Sequence, residues 1–134
     1  MMDYISISFP AIDISIDNWN SEDINEVLLF DEFFYNKSNK VFDIYCMNHI
    51  IVDSKGCMFR IVGVEKLKSW QNYFPFFIKR KMFFDDCKEK KTLEDLRSII
   101  LNKIDQIEDN DFKLQWKNNV KNAKNYSDLI LGNN

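Results

Sequence analysis

The residues best equipped for chemistry are few. His49 is the only histidine among 134 residues, and Cys46, Cys57 and Cys87 are the only cysteines. An imidazole acts as an oriented base when a carboxylate holds one of its ring nitrogens. On an extended strand His49 shares a face with Tyr45 and Asp43, but Asp43 lies about 20 Å along the chain, beyond hydrogen-bonding reach. Asp53 or Glu65 on a neighbouring strand stays open as its partner. Cys46 and His49 point to opposite faces of such a strand, which misaligns them as a nucleophile–base pair. No CxxC spacing occurs, and one histidine does not complete a zinc site, so the thiols read as reduced and structural. GxGxxG, P-loop, GxSxG and HExxH patterns are all missing, and three glycines leave little for a phosphate-cradling loop. The expectation is a chain without catalytic residues, cofactor or metal.

Binding chemistry is better represented. Lys113, Lys117, Lys121 and Lys124 recur at helical spacing, and Lys79-Arg80-Lys81 follows the aromatic run Phe74-Pro75-Phe76-Phe77. Either basic set is a possible nucleic-acid patch. The lysine stripe has no arginine for bidentate phosphate contact, and it also reads as a solvated helix flank. In the same way Lys79 and Lys81 read as charges guarding an edge strand. A small nucleic-acid-binding regulator using these patches is therefore the alternative reading, with nucleic acid the less expected partner.

Charge is distributed unevenly. Residues 1–36 hold Asp3, Asp13, Asp17, Glu22, Asp23, Glu26, Asp31 and Glu32 and no lysine or arginine, whereas the remainder carries all 18 basic groups. Trp19, Phe30, Phe33, Phe34 and Tyr35 lie among those acids. Aromatics ringed by carboxylates suit a basic protein partner and repel phosphate. The competing interpretation is that the acidic and basic parts fold together and neutralise each other.

The elements that must position these groups follow from periodicity. Ile5, Ile7 and Phe9, then Ile12, Ile14 and Ile16, alternate as short strands around Pro10. Ser21 caps an N-terminal helix through Val27 and Leu28, and the run Leu28–Tyr35 is ambiguous between helix and strand. A long strand is expected over Val41–Val52, a turn at Asp53-Ser54-Lys55-Gly56, a returning strand Cys57–Val64 and a further strand Ile78–Phe84. Asp85–Glu89 reads as a turn. Thr92 caps a helix striped by Leu93, Leu96, Ile100, Ile104 and Ile107; Asp109 or Asp111 caps another striped by Phe112, Trp116, Val120 and Ala123, and Gly132 stops it. The fold class is α+β: an antiparallel sheet of three or more strands packed by N-terminal and C-terminal helices, in one domain over residues 1–134. The opening residues have no basic n-region or apolar h-region, and apolar runs are too short to span a bilayer, so a cytoplasmic location and no membrane contact are expected.

An acidic chain of this size, rich in Asn, Ile, Lys and Phe, resembles the small bacterial immunity proteins that neutralise contact-dependent growth inhibition toxins. The resemblance rests on the stretch Asp53–Gly63, on Phe74-Pro75-Phe76 and on Thr92-Leu93-Glu94-Asp95-Leu96, which together resemble a hairpin-plus-helix pattern in small bacterial proteins. It implies a cytoplasmic antitoxin without catalytic residues, whose partner is the C-terminal domain of a toxin, often a nuclease. A nuclease carries a basic cleft, so Asp17, Glu22, Asp23, Glu26, Asp31 and Glu32 would supply the matching acidic face, with Phe33 or Tyr35 as the desolvated anchor.

Overall fold

The computed structural model describes residues 7–16, 19, 27–35, 47–66 and 79–132, and of Phe33–Tyr35, Glu65, Lys66, Lys79 and Arg80 the backbone alone. Six strands, β1 (Ala11–Asp13), β2 (Leu28–Leu29), β3 (Phe33–Tyr35), β4 (Ile50–Val52), β5 (Cys57–Lys66) and β6 (Lys79–Lys90), precede three helices. These are α1 (Leu93–Asp105), α2 (Asp111–Asn122) and α3 (Tyr126–Leu131). The fold class is α+β, with every strand pairing antiparallel.

The strands lie in the order β2-β1-β4-β5-β6-β3. Consequently β2 and β3, joined only by Phe30, Asp31 and Glu32, occupy opposite ends of a six-stranded sheet. Laid flat, those ends would be about 24 Å apart at the usual strand spacing. From Leu29 to Phe33 the chain reaches about 14 Å at most. The sheet must therefore roll, and two bulges in the β5–β6 ladder help it do so. Val62 is the extra residue on β5, between the pairs Ile61↔Phe84 and Gly63↔Phe83; on β6, Cys87–Glu89 face Met58 alone. Bulges of this kind bend a strand and sharpen its twist.

Alternation along the strands separates two cores. Ala11, Ile51, Phe59, Ile61 and Met82 fill the concave side of the roll. Ile12, Leu28 and Val52 point the other way and join Leu96, Ile100, Ile104, Trp116, Val120, Leu129 and Ile130 of the helices. Each strand of the β1–β4 pair is thus buried on both faces. Trp19 stacks on Trp116, with ring centroids 5.6 Å apart and planes within 8°.

Several expectations hold in detail. Thr92 caps α1 by accepting from the Asp95 N–H, and the stripe Leu96, Ile100 and Ile104 is fully buried. Gly56 N–H donates to the Asp53 carbonyl at 3.0 Å, closing the expected turn. Gly132 ends α3 in the left-handed region, at φ 41°.

Others are corrected. Asp85–Glu89 does not turn the chain: β6 runs on to Lys90, and the turn-like chemistry is absorbed by the bulge. There the Asp86 carboxylate accepts from Lys88 N–H at 2.7 Å while Lys88 sits at φ 57°. The strand expected over Val41–Val52 is broken at Met47 and Asn48, which form a turn with Asn48 at φ 67°, and residues 41–46 lie outside the described residues. Leu28 belongs to β2, not to a helix, and the rest of the expected helix start, Ser21–Glu26, lies outside the described residues. The α2 cap is Asn110, whose amide oxygen accepts from Lys113 N–H, in place of Asp109 or Asp111. A separate helix, α3, follows α2 under its own cap, Asn125.

Candidate functional site

Four of the acids expected to meet a partner, Asp17, Glu22, Asp23 and Glu26, lie outside the described residues. The others fall in the link between the two ends of the sheet. Glu32 accepts through its carbonyl from Met82 N–H at 2.8 Å, which anchors the link to β6. Asp31 is exposed, Glu32 is half-buried, and Phe30 is 59% exposed, an unusual position for a phenyl ring. Phe30 and Phe83, the latter 40% exposed, lie within two residues of that hydrogen bond on adjacent segments. Phe33 and Tyr35 follow directly in β3.

Register changes the electrostatic setting expected from sequence. Phe33 lies opposite Lys81, Phe34 opposite Arg80 and Tyr35 opposite Lys79. The aromatic segment that lacks bases locally therefore acquires three across the ladder, so this end of the sheet is mixed in sign. It also makes β6 an interior strand, and Lys79 and Lys81 do not guard an edge. In the backbone register Phe33 pairs with Lys81, which is exposed, and exposed Phe83 lies two residues along β6. The register and the Glu32–Met82 hydrogen bond thus set the link Phe30–Glu32 and the backbone of β3 alongside Lys81–Phe83 of β6.

Another member of the acidic segment is withdrawn from the surface. Asp13 is 3% exposed, and its Oδ2 lies 2.7 Å from His49 Nδ1. This pairing replaces Asp53 or Glu65 as the histidine's carboxylate. Asp13 also accepts from Ser15 N–H at 2.9 Å through Oδ1. Burial pushes the Asp13 carboxyl above its ordinary 3.8; the hydrogen bond and charge of His49 and the N–H groups of Ser15 and Ile16 act in the opposite direction. The nearby Ser15 hydroxyl accepts from Ile50 N–H at 2.8 Å. The Asp13–His49 pair ties the end of β1 to the start of β4. Asp53 is likewise structural: buried, it accepts from Ser8, Lys55 and Cys57 N–H groups and so organises the β4–β5 turn.

The lysine stripe divides into two parts. Lys113 is buried, and its Nζ reaches the Ile107 carbonyl at 2.8 Å and Asp109 Oδ1 at 3.0 Å. Lys117 Nζ lies 2.6 Å from Asp105 Oδ1 at the end of α1, holding that carboxyl below its ordinary range. Cations at a helix C-terminus are favoured by the exposed carbonyls and the macrodipole. The reverse contact closes the other end of the hairpin, where Arg97 of α1 donates through Nη1 to the Val120 and Lys121 carbonyls at 2.6 and 3.0 Å. Lys121 and Lys124 stay exposed. Among the described residues, no group of three or more His, Cys, Asp or Glu side chains is placed to hold a metal ion.

This end of the sheet carries two exposed phenyl rings, Phe30 and Phe83, and exposed Asp31. No family model, no curated protein and no solved structure matches this chain. The comparisons therefore add nothing to the geometry. Of the surface residues, Phe83 was not signalled by sequence, because a strand residue's outward exposure depends on which helices cover it. The Asp13–His49 pair was invisible for a related reason, its members meeting only through the β1–β4 pairing.

Proposed function

We propose that this protein is an immunity protein: a non-catalytic cytoplasmic antitoxin of the contact-dependent growth inhibition kind that binds and neutralises a toxin domain, a basic nuclease, through its acidic and aromatic N-terminal segment. The observation that carries the reading is Phe30, 59% exposed on a link followed by exposed Asp31. A large apolar side chain held out by a backbone-anchored link is a binding anchor, and rim carboxylates raise the encounter rate with a basic partner. Fast capture matters for such an inhibitor, because each free toxin molecule turns over many substrates. The nucleic-acid alternative has less support, since Lys113 and Lys117 are engaged with α1 and its following loop.

Affinity capture from the producing cells, followed by a protection assay with the captured toxin, tests the reading. Wild-type protein should bind one basic protein stoichiometrically and protect. The variant Phe30→Ser should keep its melting temperature and lose binding by about 30-fold or more, the loss typical of an interface hot spot. Undiminished protection by that variant would overturn the acidic-aromatic mechanism. Capture of nucleic acid alone would overturn the inhibitor reading itself.

A further inference from the structure

We draw no further inference here: the strongest candidate, the half-buried His49 held by buried Asp13 where the end of β1 meets the start of β4, already serves to tie those strands together, and nothing in the structure shows what ligand or substrate would meet its imidazole.

Discussion

Arg97→Met isolates the energetic weight of the helical hairpin's capping. Methionine keeps most of the aliphatic stem and its packing while removing the guanidinium. Two bonds to the Val120 and Lys121 carbonyls disappear, in a side chain that is 14% exposed. Hydrogen bonds to charged groups contribute about 1.5–3 kcal/mol each, but the freed carbonyls at the α2 end can rehydrate, so the loss lies at or just below the bottom of the two-bond total, about 2–3 kcal/mol. The ion pair of Arg97 with Glu94 is lost too; Glu94 is 77% exposed, which limits that contribution to a few tenths of a kcal/mol. For a chain of this length the unfolding entropy is about 0.28 kcal/mol/K, so the melting temperature should fall by about 7–11 °C. Glu94→Ala provides the control and should fall by less than about 2 °C. Both are read by thermal melts followed by circular dichroism. If Arg97→Met fell no further than Glu94→Ala, the carbonyl caps would carry no stability and the reasoning about the hairpin would be wrong.

Other outcomes follow from the same structure. Gly132→Ala should destabilise by about 2–4 kcal/mol, because its Cβ would lie 2.6 Å from Trp116 Nε1 at a left-handed φ, whereas Gly63→Ala should stay within about 0.5 kcal/mol; urea melts separate them. The Asp13 carboxyl titrates higher in the folded protein than in the unfolded chain, so between those two values the folded state binds more protons and stability falls as pH rises. The stability of wild type relative to Asp13→Asn should therefore decline with rising pH upward from about 3.8, the ordinary carboxyl value, in urea melts; an increase would contradict the burial argument.

Features set by short-range chemistry were legible in the sequence. Thr92, the α1 stripe, the Asp53–Gly56 turn and the Gly132 stop each depend on a few consecutive residues. Reading failed where a local signal had more than one outcome. Asp85-Asp86-Cys87-Lys88-Glu89 has the composition of a turn, and a side-chain bond from Asp86 to the Lys88 N–H does form a turn-like bend. Pairing with β5 on both sides of it makes a bulge of that bend. Asn110 won the α2 cap from two neighbouring aspartates, a choice among near-equal capping residues. At the candidate site, sequence singled out Asp31, Glu32, Phe33 and Tyr35 but missed the bases facing them. That Lys79–Lys81 would pair with Phe33–Tyr35 is fixed by the order of strands, which hydrophobic alternation does not encode.

The short link Phe30–Glu32 also constrains how the molecule is made. Because it ties β2 at one end of the rolled sheet to β3 at the other, the described strands within the first 35 residues pair with one another only through β1 and β2. During synthesis Ile12 waits for Val52, and Phe33 waits for Lys81. Such distant pairings slow folding and prolong the exposure of apolar strands. A nascent chain halted before β6 leaves β3, Phe-Phe-Tyr, without its partner, so the protein should be most vulnerable to aggregation and to proteases while the ribosome is still translating its middle third.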